Sequence, residues 1–392
     1  MRILMVNKFL YPNGGSETYI FKIGEQLKAM GHEVQYFGME HPDRCVGNNA
    51  EQYTDYMDFH GGSKLRKLTY PIKTIYSSEA KRRMKAVLDD FQPDIIHLNN
   101  FNYQLTPSII YAIQDYKTKG NKKVKTIYTA HDYQLVCPNH MMVDSTGNVC
   151  GACIGGNFSN CVKRNCIHGS KARSAVGMCE AAFYKILRTY RLINVIICPS
   201  EFIKNVLDTN PVLAKMTVTL RNFVEVPEKK QLRKEGYVLY FGRYSKEKGI
   251  EIMPETKNIQ FVCAGSGDLE DKLNAAPNIK NVGFKSGEEL EDLIRKASCS
   301  VYPSTWYENC PFSVMESISL GTPVVGADIG GIPELIENGR TGVLFKSGDS
   351  ADFERAINEA LANADEMSKN CLETDFDTLG TYCRKLEKIY TE

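Results

Sequence analysis

Short apolar runs rich in β-forming residues alternate along this chain with segments of helical length, and the alternation starts twice. Arg2-Ile3-Leu4-Met5-Val6 leads into a loop holding Pro12, Gly14 and Gly15. Ile20, Ile23, Leu27 and Met30 then recur at helical spacing, Gly31 ends that stretch, and Glu33-Val34-Gln35-Tyr36-Phe37 is the next run. Strand, loop, helix and strand in that order make the unit of a parallel sheet with helices on its faces. Ile95-Ile96-His97-Leu98, Lys125-Thr126-Ile127-Tyr128 and Val195-Ile196-Ile197-Cys198 continue the series.

A polar segment at 221–235, with Pro227 and five basic residues, reads as a linker. After it the alternation begins again, with strands expected at 237–241, 259–263, 300–302, 323–325 and 342–345 and helices at 287–298 and 351–363. The fold class expected is α/β, with two facing Rossmann-like domains at 1–220 and 221–375. Ligands in such sheets bind beyond the carboxyl ends of the strands, here expected to line an interdomain cleft.

Charge divides at the same point. Residues 1–220 carry 27 Lys/Arg against 18 Asp/Glu, and residues 221–392 carry 21 against 29. A basic half joined to an acidic half suggests different partners for the two domains. The chain has no run of 18 or more apolar residues, so no membrane-spanning helix is expected. Its first residues are too short a run for a signal-peptide core, so a cytoplasmic location is expected. The 13 cysteines then read as thiols or metal ligands rather than as a disulfide framework.

The densest chemistry lies in the second half. Glu308-Asn309-Cys310-Pro311-Phe312-Ser313-Val314-Met315-Glu316 sets two carboxylates eight residues apart around a turn and the start of a helix. A helix amino terminus receives phosphate through free N–H groups. Glu316, one turn in, is placed to accept from a ribose diol, and Glu308 lies nearer the sugar. Earlier, Phe241-Gly242-Arg243-Tyr244-Ser245-Lys246-Glu247-Lys248-Gly249 puts two cations after a strand. Arg243 can grip a phosphate with two bonds and Lys248 adds a point charge. In the first half, Gly14-Gly15 allows close backbone approach to a ligand. It is not the Gly-x-Gly-x-x-Gly dinucleotide fingerprint. Thr129-Ala130-His131-Asp132 follows a strand, where a histidine can bond a sugar hydroxyl or balance developing charge.

Pro303-Ser304, Glu308 to Glu316, Gly321-Thr322-Pro323-Val324-Val325, Gly330-Gly331-Ile332-Pro333-Glu334 and Thr341-Gly342 stand in that order. Together they resemble the donor-site signature of retaining glycosyltransferases with the GT-B fold, family four in particular. The resemblance covers most of the second half and is weaker in the first. It implies transfer of a sugar from a UDP- or GDP-sugar to a glycan or lipid-linked acceptor, with retention at the anomeric carbon and no required cofactor or metal. It implies catalytic roles for His131, Glu308, Arg243 and Lys248. It implies donor-binding roles for Gly14, Gly15, Phe284, Asn309, Ser313, Val314 and Glu316. It also implies that the last helix, about 376–392, crosses back to the first domain. The rival readings are a nucleotide-sugar epimerase or hydrolase, a phosphorylase of similar architecture, and a silent nucleotide-sugar-binding protein. Intact Glu308, Glu316, Arg243 and Lys248 argue against the last.

Two features depart from that pattern or add to it. Glu251-Ile252-Met253-Pro254-Glu255 is short and broken by proline where the family has a longer helix. Cys137, Cys150, Cys153, Cys161 and Cys166, with His140 and His168 nearby, read either as a structural zinc site or as free thiols, the spacing being regular only for Cys150 and Cys153.

Two basic stretches suit an anionic membrane surface. Lys64, Arg66, Lys67, Lys73, Lys81, Arg82, Arg83 and Lys85 are interleaved with Leu65, Leu68, Tyr70, Ile72, Ile75 and Tyr76, and Lys171, Arg173, Lys185, Arg188 and Arg191 form the second stretch. Peripheral attachment at the inner face of a membrane is therefore expected, and no nucleic-acid-binding motif accompanies the charge.

Overall fold

The computed structural model describes residues 1–56, 70–120, 122–225 and 232–392. Lys64, Leu65, Arg66, Lys67, Leu68 and Pro227 lie outside the described residues, as do the side chains of Tyr70 and Ile72.

The chain divides into two compact units. The first comprises Met1–Thr146, Cys150–Leu220 and Leu379–Glu392, and the second Gly147–Val149 and Arg221–Thr378. The first is built on strands β1 (Arg2–Val6), β2 (Glu33–Phe37), β3 (Ile95–Leu98), β4 (Lys125–Thr129), β5 (Val195–Cys198) and β6 (Thr217–Thr219). The second is built on β7 (Val238–Phe241), β8 (Phe261–Ala264), β9 (Ile279–Asn281), β10 (Cys299–Tyr302), β11 (Val324–Ala327) and β12 (Gly342–Phe345). Among the described residues the helices of eight residues or more are α1 (Gly15–Ala29), α2 (Ser78–Phe91), α3 (Ser108–Gly120), α4 (Lys171–Ile186), α5 (Glu201–Asp208), α6 (Gly287–Lys296), α7 (Phe312–Ser319), α8 (Ser350–Ala362), α9 (Ala364–Glu373) and α10 (Leu379–Thr391).

Each unit holds one six-stranded sheet, and every strand pair in both is parallel. Parallel sheets are covered on both faces, so their strands are apolar throughout rather than alternating. In β7, Val238 and Tyr240 join a cluster with Phe261, Val301, Phe345 and Phe353, while Leu239 and Phe241 join another with Ala264 and Ile294. In the first unit Leu4, Met5, Val6, Ile96, Leu98, Ile127 and Ile196 are fully buried.

The strand orders fix where ligands go. The first sheet runs β2-β1-β3-β4-β5-β6 and the second β12-β11-β10-β7-β8-β9. The order reverses between β1 and β3 in one and between β7 and β10 in the other. A crevice opens at such a switch, outside the carboxyl ends of the two strands.

The short strands β6 and β9 do not stand out in the sequence. Each has three residues at a sheet edge, and Val218 in β6 is exposed, so neither makes an apolar run. Pro254 sits inside a 3-10 helix, Ile250–Glu255, in place of a longer helix.

Helix α10 completes the first unit. The Tyr382 hydroxyl lies 2.7 Å from that of Tyr19 on α1, and the Tyr390 hydroxyl lies 2.7 Å from His97 Nδ1. His97 Nε2 meets Thr129 Oγ1 at 2.7 Å, and Tyr19 meets the same hydroxyl at 3.2 Å. Lys125 donates to the Ile389 carbonyl at 2.6 Å. Every polar tip in this buried set has a partner, as burial demands.

Candidate active site

At the switch point of the second sheet, the loop after β7 meets the loop after β10. Lys248 comes from the first loop and donates to Glu308 Oε1 of the second at 2.6 Å. The same oxygen accepts from Trp306 Nε1 at 2.6 Å and from the Ser304 hydroxyl at 3.4 Å. Lys248 Nζ also lies 3.4 Å from the Tyr302 hydroxyl and over the rings of Tyr302 and Trp306, at 5.5 and 5.7 Å. Burial pulls the Lys248 ammonium down, but the Tyr302 hydroxyl and the Glu308 carboxylate outweigh it and hold the group above its ordinary value. Lysine therefore stays charged in a mostly enclosed site.

Two glycines make that meeting possible. Gly249 adopts φ +67°, and a Cβ there would stand 1.8 Å from the Pro303 carbonyl oxygen. Gly330 adopts φ +61°, where a Cβ would stand 2.5 Å from the Glu308 carbonyl oxygen. The adjoining Gly331 N–H donates to that oxygen at 2.7 Å. Both positions need a left-handed backbone and close approach, which only glycine supplies without strain.

Arg243 leaves β7 at the same end. Its side chain is exposed and has no ion-pair partner among the described residues. Ser313 on α7 hydrogen-bonds Tyr302. Helix α7 begins at Pro311 with no side-chain cap, which leaves first-turn N–H groups for an anion. Glu316 is half-buried on this helix, and Val314 is buried in the core beneath it. Asn309 is half-buried beside Glu308, while Phe284 is 74% exposed on the loop after β9.

The switch point of the first sheet gathers a second set. Gly14 caps α1 in an extended conformation without a side-chain bond, and Gly15 opens the helix. His131 follows β4; its Nε2 lies 2.9 Å from Asn99 Oδ1, and Tyr19 meets its ring edge-on at 4.9 Å. Burial holds the His131 imidazole down to about 3, so it is neutral at physiological pH. Next to it, Asn102 donates to Asp132 at 3.0 Å, and Lys8 donates to Asn102 at 3.3 Å.

The buried titratable groups of this unit set its acid stability. Burial holds His97, His131 and His140 at about 3. In the unfolded chain they protonate near pH 6.5. Unfolding therefore takes up protons between these values, and stability falls as pH drops through that window. Glu180 acts oppositely: burial pushes it up to about 8, so it keeps a proton in the native state that the unfolded chain releases above about 4.5. Near pH 5.5 a net uptake of about two protons per chain is expected, less whatever Asp132, also raised by burial, holds back. Urea midpoints measured from pH 5 to 7 check this; a flat profile would mean the histidines are not neutral.

Residues 13–226 match the profile described as Glycosyltransferase Family 4, and residues 224–374 match Glycosyl transferases group 1. The chain belongs to glycosyltransferase family 4. A Klebsiella pneumoniae protein described as an uncharacterized 42.6 kDa protein in the cps region is 25% identical over 365 residues, covering 86% of this chain and 87% of that protein. An alpha-D-kanosaminyltransferase of Streptomyces kanamyceticus is 33% identical over 155 residues, 34% of this chain and 40% of that one. Among solved structures, Anabaena HepE in complex with UDP superposes with a TM-score of 0.68 at 15% identity, over 100% of both chains. Sucrose-phosphate synthase from Thermosynechococcus elongatus gives 0.67 at 18%, over 100% of this chain and 98% of that one. The fold is therefore the two-domain α/β GT-B fold.

In this family 4 glycosyltransferase the second unit brings Arg243, Lys248 and Glu308 to one switch point, with α7 beside them. The first unit brings Gly14, Gly15 and His131 to the other. Trp306 escapes sequence reasoning, although it is the one tryptophan of the chain and stands two residues before a motif glutamate. The cysteine loop packs as an apolar cluster: Cys153 and Cys161 are buried with Phe158 and Ala181, and Cys166 lies against them. Burial pushes the thiols of Cys137 and Cys161 up to about 12 and that of Cys153 to about 11. Cys166, Cys153 and Cys137 lie near enough to Cys161 to add to that rise. Lys81 pairs with Asp115 at 2.9 Å and Arg83 bonds Gln52 at 2.8 Å, so two cations of the first basic stretch are engaged within the unit.

Proposed function

We propose that this glycosyltransferase takes its sugar from a UDP- or GDP-sugar bound by the second unit. It passes the sugar, with retention at the anomeric carbon, to a saccharide or lipid-linked acceptor at the inner face of a membrane. The observation that carries this reading is the Lys248–Glu308 pair at the β7/β10 switch point, with exposed Arg243 and the uncapped α7 alongside. HepE, of the same fold, has been crystallised with UDP and with UDP-glucose. In the proposed step the bond from the anomeric carbon to the diphosphate breaks while the acceptor oxygen attacks from the same face. The acceptor proton passes to the departing phosphate, whose charge is met by Arg243, Lys248 and the α7 N–H groups. Glu308 orients Lys248 and faces the sugar, and neutral His131 bonds a sugar hydroxyl. No metal takes part, because the cations already meet the charge.

A thermal-shift panel of nucleotides and nucleotide-sugars identifies the base, and the anomeric configuration of the product, read by NMR, tests retention. Calorimetry tests the division of labour between the glutamates. Glu316→Ala is expected to weaken the free nucleoside diphosphate about tenfold, as for one lost charged hydrogen bond. Glu308→Ala is expected to act mainly on the intact nucleotide-sugar. Equal losses for both ligands in both variants would refute the split.

A further inference from the structure

Helix α4 buries one stripe, made of Ser174, Gly177, Glu180, Ala181 and Tyr184. Its opposite stripe is also apolar: Ala172, Val176, Cys179, Phe183 and Ile186 recur at helical spacing. Phe183 is 38% exposed, Ile186 78%, and the next residue, Leu187, 50%. Eight large apolar side chains are exposed among the described residues, and three of them stand on this one turn. Scattered exposed apolar residues need no explanation, but a contiguous set does.

The charge around that turn is one-sided. Residues 145–200 hold seven Lys/Arg and a single acid, Glu180. Glu180 is buried and, its carboxyl raised to about 8, mostly neutral at pH 7. Arg188 and Arg191 are exposed and have no ion-pair partner among the described residues. Beside them opens a cavity of about 320 Å3, lined by Lys185, Arg188 and Arg191 and, within, by Phe158, Tyr184 and Leu213.

We propose that the carboxyl end of α4 docks this enzyme on an anionic phospholipid bilayer. Phe183, Ile186 and Leu187 enter the headgroup region, while Arg188 and Arg191 hold lipid phosphates at the mouth of the cavity; Lys185 is tied to the Gly156 carbonyl at 3.1 Å and adds only its charge. An apolar turn ringed by cations is the composition of an interfacial helix. A second copy of the chain fits the face poorly, since it would set cation against cation. Helix α2, the other basic helix, is a weaker match. Lys81 and Arg83 are engaged, its last turn carries exposed Asp89 and Asp90, and it leaves no apolar turn outward. The inference rests on the membrane part of the proposed function.

Flotation of the full chain with phosphatidylcholine vesicles, with and without phosphatidylglycerol, tests it. Binding is expected only with phosphatidylglycerol and is expected to weaken with salt. The double variant Ile186→Glu/Leu187→Glu is expected to lower the bound fraction at least about tenfold, from the loss of two inserted apolar side chains. Arg188→Glu/Arg191→Glu is expected to lower it similarly, and Lys81→Glu/Lys85→Glu by less than about twofold. All these positions are at least partly exposed, and an unchanged melting midpoint shows that the variants fold. If the α4 variants float like the parent, the docking site is wrong and the membrane reading stands. If the parent never floats, both fall. A dimer in solution that Ile186→Glu/Leu187→Glu splits would make the face a self-interface and overturn the proposal.

Discussion

Arg243→Ala is expected to lower turnover about 10²–10³-fold, the usual loss when one preorganised charge-stabilising donor is removed. The guanidinium is exposed and has no ion-pair partner among the described residues, so the melting midpoint is expected to stay within about 2 °C. Lys248→Ala is expected to cost a similar factor in turnover and also to destabilise. It strips the cation from the Glu308 carboxylate, which is 10% exposed and keeps only the Trp306 and Ser304 bonds. Breaking a buried pair from one side costs about 3–5 kcal/mol. Steady-state kinetics beside thermal melts separate the two. Turnover close to the parent's in both variants would remove these cations from the reaction.

Gly249→Ala is expected to be the most damaging change of a single methyl group in the second unit. At φ +67° an alanine is strained by about 1 kcal/mol. The larger effect is steric, because the new Cβ falls 1.8 Å from the Pro303 carbonyl oxygen, which is backbone and cannot rotate away. The loops after β7 and β10 must then separate, and Lys248 and Glu308 with them. A loss of about 10² in turnover is expected, since a displacement near 1 Å is enough for that, together with about 2–3 kcal/mol of stability. Gly236, also at positive φ but with open space where its Cβ would point, is the matched control: alanine there is expected to bring the strain alone. Equal effects at the two glycines would show that the approach to Pro303 does not matter.

The parallel sheets were legible because strands buried on both faces carry their signal as uninterrupted apolar runs; β3, β5 and β12 fall where those runs do. Edge strands β6 and β9 lack that burial and so lacked the signal. Arg243, Lys248, Glu308 and Glu316 were legible as charged residues at strand ends and a helix start. What spacing did not carry was pairing: Lys248 and Glu308 are 60 residues apart, and only the β7/β10 switch joins them. Nor did it carry burial. His131 reads from sequence as a titratable group near pH 7, and only the surrounding core makes it neutral. The cysteine spacing left zinc and free thiols both open, and it did not carry the burial of Cys153 and Cys161 against Phe158 and Ala181.

The return of α10 bears on the order in which the protein is made. Tyr19 and Tyr382 are separated by 363 residues, and His97 and Tyr390 by 293. At roughly 5–20 residues per second, Tyr19 waits on the order of 20–70 s of synthesis for its partner. The second unit, 221–378, is meanwhile complete and free to fold. A chain halted before α10 would therefore carry one finished domain and one whose buried hydroxyls and imidazole lack their last partners, a species for chaperones to hold rather than an early enzyme.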